Sequence, residues 1–204
     1  MPKEFTAERR DEIREALMTH GRQLFARHGL KRVTVDELCR AVGIAKGSFY
    51  AFFESKEDLF MSVVEREESF RDELLNRIVS EAENTREGIR RFMHEGLKHL
   101  TENELLQQLY KEGTYQALVR KLGQERLDKH RIKDARELSG YVEYLQNRGL
   151  ILDAEPEVVV GLFRAVFLLT LHRAEIGENV FERVFSLLAE VLARGMITEK
   201  GATE

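Results

Sequence analysis

The 204-residue sequence contains no tryptophan, one cysteine and two prolines. A single thiol, Cys39, excludes an intramolecular disulfide and a thiolate zinc cluster, and its place on the inward stripe of a helical pattern reads as a small core residue. The prolines are Pro2 and Pro156, the first at the chain start and the second in the first turn of a helical run. Nothing therefore interrupts the helix formers that dominate the chain, strand-like alternation is missing, and the fold class is all-α. No apolar run reaches the roughly 18 residues needed to cross a bilayer. No apolar stretch precedes Thr6–Glu15 either, so a cytoplasmic protein with no membrane partner is expected.

Catalytic and metal-binding patterns are scarce too. No histidine has a glutamate three positions before it, which removes the di-iron pattern of helical bundles, and the six histidines form neither HxxxH nor HExxH spacing. His94 and His99 lie among Arg90, Arg91 and Lys98 and read as part of a solvated face. Gly43-x-x-x-Gly47-Ser48 lacks the spacing and the lysine of a phosphate-binding loop, and no serine elbow or dinucleotide fingerprint occurs. No enzyme activity, metal or cofactor is expected. The net charge of -4 is unevenly spread: residues 1–56 hold 11 Lys and Arg against 8 Asp and Glu, and the remainder holds 21 against 28. A modest positive excess at one end suits a polyanionic partner there.

Residues 34–60 carry the most informative pattern of the chain. Thr34 followed by Glu37 is a capping box, Gly43 stands where a left-handed cap ends the helix 34–42, and Ile44 is the apolar plug of a corner. Ala45-Lys46-Gly47-Ser48-Phe49-Tyr50 then opens a second short helix, giving a helix-turn-helix. The small residues allow close approach to another backbone, Lys46 and Tyr50 offer donors for phosphate, and Ser48 offers one for a base edge. The run Thr34, Glu37, Leu38, Ala41, Val42, Gly43, Ile44, Lys46, Gly47, Tyr50, Phe53, Ser55, Lys56, Glu57 and Leu59 resembles the DNA-binding domain of the tetracycline repressor (TetR) family. With Ile13, Ala16, Leu17, Leu24, Phe25 and Gly29, the resemblance covers roughly residues 10–60. It departs at Ala45, where the family often has serine, and at Phe49, where leucine is common. It implies double-stranded operator DNA as a partner, with Thr34, Ala45, Lys46, Gly47, Ser48, Phe49, Tyr50 and Lys56 as candidate contacts.

The remaining pattern gives about nine helices in total. A first helix runs from Thr6 to His28 and stops at Gly29; another starts at Ser55 and continues past Ile78; five more cover about 85–101, 103–121, 124–148, 155–175 and 178–196. We expect a helix-turn-helix domain at 1–54 and a helical effector-binding and dimerisation domain at 55–204. The resemblance further implies a repressor released by a small-molecule effector, with Phe92, Tyr110, Tyr115, Phe163 and Phe167 as candidate pocket wall. It also implies a homodimer through the last two long helices. Their apolar residues Val159, Phe163, Phe167, Phe181, Val184 and Leu188 are the candidate interface; the competing reading, that the helix pair is entirely intramolecular core, is the less favoured. The alternative is a helical protein-interaction module with a borrowed helix-turn-helix.

Overall fold

The structure is a computed structural model that describes residues 6–202 apart from residues 68, 110 and 112. Among the described residues there are twelve α-helical segments and no strand beyond one isolated bridge, Ile151 to Ile197. The helices are α1 Ala7–Arg32, α2 Val35–Val42, α3 Lys46–Phe49, α4 Lys56–Glu67, α5 Ser69–Glu81 and α6 Thr85–Glu102. They continue as α7 Glu104–Leu109, α8 Thr114–Leu122, α9 Gln124–Asn147, α10 Pro156–Leu168, α11 Arg173–Ile176 and α12 Phe181–Met196. Three expected helices are each described as two, which accounts for twelve rather than nine. The 103–121 run divides at Gly113, whose φ of 76° takes it out of the helix to cap α8. The 155–175 run passes into a 3-10 turn at Leu169–His172 before α11 ends at Gly177. The helix from Ser55 is described as α4 and α5, on either side of residue 68.

Two compact units result, residues 1–69 with 103–127, and residues 70–102 with 128–204. In the first, α1 lies against α2, α4 and α7. Gly21 makes the α1–α4 approach possible, since a Cβ there would sit 3.1 Å from Leu59 Cδ2. Phe25 and Phe60 meet edge to face at 5.2 Å in a core that also buries Leu17, Leu38, Phe53 and Leu59. Helix α1 is interrupted at Gly29, at φ 75°, and its peptide there faces Gln108, whose Nε2 donates to the Ala26 carbonyl at 2.8 Å. Buried Asn103 caps α7 by accepting from Leu105 N and Leu106 N, and its amide donates to Glu67, which also pairs with Arg22 at 2.5 Å. The second unit has two buried clusters. One joins Ile89, Val142, Val159, Val160 and Met196; the other joins Met93, Val166, Phe181, Phe185 and Ala189. His99 belongs to this packing and not to a solvated face, stacking on Phe70 at 3.9 Å.

Candidate nucleic-acid interface and effector cavity

The helix-turn-helix is fixed by contacts made within a few residues. Thr34 Oγ1 accepts from Glu37 N at 3.2 Å while Glu37 Oε2 accepts from the Thr34 amide and hydroxyl, each at 2.8 Å. The Thr34 hydroxyl and amide hold the Glu37 carboxyl below the ordinary carboxylate range. Thr34 thus serves as a cap, with both functions of its hydroxyl engaged. At the other end of α2, Gly43 takes the left-handed conformation (φ 74°, ψ 35°), and Ile44 N donates to Cys39 O at 3.0 Å. Ala45 starts α3 without a side-chain cap.

Helix α3 separates the candidate contacts into two sets. Ala45, Lys46, Gly47 and Tyr50 are exposed, Tyr50 at 55%, and Ser48 is half-buried. A Cβ added at Gly47 would meet nothing within 4 Å, so the outer side of the helix is open to close approach. Lys46 Nζ pairs with Asp36 at 2.8 Å, and that carboxylate raises the lysine pKa. Phe49 is different. It is 0% exposed, edge to face with Tyr50 at 5.5 Å and tilted against Phe53 at 6.1 Å, so it anchors α3 from below and cannot reach a groove. Lys56 is likewise turned to structure: its Nζ donates to Leu30 O at 2.8 Å and Val33 O at 2.7 Å, occupying carbonyls left over at the end of α1. Two residues outside the expected set hold the turn that follows α3. Arg10 donates to Ala51 O at 3.2 Å and Arg14 to Phe52 O at 3.1 Å, with the Arg14 guanidinium 4.6 Å from the Phe53 ring centre. Their i, i+4 spacing was the visible signal, although the partners forty residues away were not.

In the second unit a cavity of about 160 Å³ lies among α5, α6, α9 and α10. Of the expected wall residues, Phe92 and Phe163 line it, edge to face at 5.6 Å. Phe167 packs behind them, 5.8 Å from Phe92 and 6.0 Å from Phe185, filling the place where a Gly96 side chain would be. Tyr115 is no wall residue: it belongs to the first unit, is 52% exposed, and its hydroxyl accepts from Gln124 at 3.2 Å. Tyr110 lies outside the described residues. Helix α9, from which no wall residue was expected, contributes Leu138, Tyr141 and Tyr144 at helical spacing, and Arg148 follows directly after its last residue.

The expected dimer residues also divide. Val159 and Phe181 are buried in the unit's own clusters, Phe163 and Phe167 pack against those clusters, and Val184 and Leu188 are half-buried. The exposed apolar residues of these helices are others, chiefly Val158 (60%), Leu162, Leu187 (65%) and Val191. Each pair is four residues apart and so lies on one side of its helix.

The family model of bacterial regulatory proteins, tetR family, matches residues 17–63. Residues 17–63 therefore carry a TetR-family domain. Among curated TetR-like relatives, the nucleoid occlusion factor SlmA of Haemophilus ducreyi is 36% identical over 66 residues, 32% of this chain and 31% of that protein. The chain thus aligns with about a third of that relative's length. Solved structures extend the likeness in fold. A TetR-family transcriptional regulator from Mesorhizobium loti superposes with a TM-score of 0.72 at 20% identity, covering 93% of this chain and 99% of the other. SmeT, the repressor of a multidrug efflux pump of Stenotrophomonas maltophilia, solved as its triclosan complex, gives a TM-score of 0.62 at 18% identity over 92% of this chain and 93% of the other. Among the described residues, no helix is long and apolar enough to cross a membrane.

Proposed function

We propose that this chain is a sequence-specific, DNA-binding transcriptional regulator that acts in the cytoplasm as a homodimer and represses until a small-molecule effector releases it. The observation that carries the reading is α3. Its underside is anchored by Phe49 and the turn that follows it is held by Arg10 and Arg14, while Ala45, Lys46, Gly47 and Tyr50 stand outward on a surface with no side chain at Gly47. Such a short, smooth, donor-bearing helix fits the floor and phosphate walls of a major groove. Lys46 and Tyr50 take phosphates, and Ser48 reads a base edge. The exposed pairs Val158/Leu162 and Leu187/Val191 are the proposed dimer seam, with Val184 and Leu188 at its margin. A two-fold dimer presents two copies of α3, as a pseudo-palindromic operator requires.

The effector reading is supported by the cavity and by the bound triclosan of the SmeT structure. Helix α6 lines the cavity with Thr85, Ile89 and Phe92 and leads directly into Asn103, the cap of α7, whose Gln108 holds the α1 backbone at Ala26. A ligand that shifts α6 has a covalent route to the reading domain. Release requires differential binding: a 100-fold preference for the DNA-incompetent state supplies about 2.7 kcal/mol, and operator DNA must weaken the ligand by the same factor.

Selection from random duplex DNA, followed by footprinting, tests the reading. The expected product is an inverted repeat with half-sites about 34–36 Å apart or a multiple of that distance, bound with a steep salt dependence. Recovery of no repeat, or binding indifferent to salt, would count against it.

A further inference from the structure

The cavity is graded from one end to the other. Its inner wall is Ile78, Ile89, Val142 and Val160, all buried. Its rim carries Val79, Tyr144 and Arg148, all exposed. At the rim, Arg148 Nη1 donates to the Tyr144 hydroxyl at 2.9 Å, and the guanidinium carbon lies 5.7 Å from the Tyr144 ring centre. Tyr141, one turn earlier on α9, donates to Asn76 Oδ1 at 3.1 Å, and burial pushes its phenol further from ionisation. Among the described lining residues there is no aspartate, glutamate or lysine, so Arg148 supplies the formal charge of the wall.

Size narrows the choice. A volume of about 160 Å³ compares with the engineered cavity of about 150 Å³, lined by Leu, Ile and Phe, that accepts benzene. One ring fits the inner end. A polar substituent on that ring then emerges at the rim, beside a planar guanidinium whose paired N–H groups match a carboxylate. A cationic substituent in the same place would meet the like charge of Arg148.

We propose that the effector of this cavity is a small aromatic monocarboxylate, seated with its ring among Ile89, Val142 and Val160 and its carboxylate at Arg148 and Tyr144. This rests on the effector reading above and names its chemical class. The C-terminal segment positions the rim. Lys200 donates to Arg148 O at 2.9 Å and Thr198 to Gly149 O at 2.7 Å, which holds the end of α9 in place.

Calorimetric titration of the full chain with benzoate, benzyl alcohol and benzamidinium tests the class, since the three share a ring and differ in charge. Benzoate is expected to bind, benzyl alcohol to bind more weakly, and benzamidinium not to bind. Arg148→Gln should weaken benzoate about tenfold and leave benzyl alcohol unchanged. Val160→Phe, with its helical spectrum checked, should abolish both; if it does not fold, Ile89→Phe fills the same end. Absence of benzoate binding at millimolar concentration, benzamidinium binding as tight as benzoate, or an unchanged benzoate affinity in Arg148→Gln would each overturn the proposal. Benzoate that binds as expected without releasing operator DNA supports the ligand class and fails the release reading, so the two are separable.

Discussion

The caps and corner of the helix-turn-helix and the core of the second unit are fixed by contacts of opposite range. Within residues 34–50 the determining bonds join neighbours: Thr34 with Glu37, Cys39 with Ile44, Lys46 with Asp36. In the second unit, Ile89 of α6 shares a cluster with Val142 of α9, Val160 of α10 and Met196 of α12. Ion pairs there also span the sequence, as Arg86 with Glu190 does. The first kind of contact fixes a rigid surface of definite chemistry. The second joins helices far apart in sequence, three of them bordering a cavity and two of them carrying exposed apolar rows.

The largest effect should come from breaking those exposed rows. Leu187→Glu with Val158→Glu introduces charge at the seam and leaves the buried clusters intact, so the chain should remain helical and become monomeric in analytical ultracentrifugation. Operator affinity should fall by about 10² to 10⁴, because linked binding of two half-sites is lost. A variant that remains dimeric would place the interface elsewhere. Phe185→Glu, by contrast, puts charge into a fully packed cluster and should unfold the second unit.

Buried and exposed members of α3 sharpen the comparison within the motif itself. Phe49→Ala should cost about 3–5 kcal/mol in denaturant unfolding, and its DNA binding should fail only through that loss of structure. Tyr50→Phe should leave stability within about 0.5 kcal/mol and weaken operator binding. If Phe49→Ala proves as stable as the parent, the buried-anchor assignment is wrong.

These two residues also show what the sequence makes legible. Caps and corners are encoded by adjacent residues, so Thr34, Glu37 and Gly43 could be read directly. Position within α3 is harder: over four residues, a helix gives too little periodicity to separate Phe49, which faces in, from Tyr50, which faces out. Lys56 looks like a phosphate ligand until Leu30 and Val33 bring their carbonyls to it, a contact more than twenty residues away. The cavity was least legible. Phe92 and Phe163 stand out as aromatics, but the grading that gives the cavity its chemistry comes from Arg148 and Tyr144 at the end of a mostly polar helix. Val159 and Phe181 attract attention as apolar residues on apolar helices, and pattern alone cannot tell an inner face from an outer one when both are hydrophobic.

The two lysines should then separate by assay. Lys56→Ala leaves carbonyls of α1 without a donor and should cost about 1–3 kcal/mol of stability. Lys46→Ala removes an exposed pair with Asp36 and should leave stability nearly unchanged. If Lys46 takes a phosphate, its loss should reduce the magnitude of the salt slope of operator binding by about one. An unchanged slope would remove Lys46 from the interface.

The smallest effect concerns the cap of α2. Thr34→Ala deletes the acceptor for Glu37 N and the hydroxyl that donates back to the carboxylate, and should lower stability by about 0.5–2 kcal/mol. The same interaction predicts a pH dependence with a definite sign. Because the folded-state pKa of Glu37 is depressed, its contribution is fully present above the ordinary glutamate range and disappears as the pH falls through the lower, folded value. Above that range the parent and Thr34→Ala curves of stability against pH should run parallel, separated by the value of the cap. Below it the gap should narrow, since protonated Glu37 loses the ionic bond from the Thr34 hydroxyl while the bond from Glu37 N to that hydroxyl remains. Glu37→Gln gives the control: it retains an acceptor for the Thr34 amide without a titrating group, so the acid-side slope assigned to Glu37 should vanish while part of the cap survives. A separation between parent and Thr34→Ala that persists unchanged into acid would mean that the hydroxyl's bond to Glu37 N carries the cap and that the carboxylate contributes little.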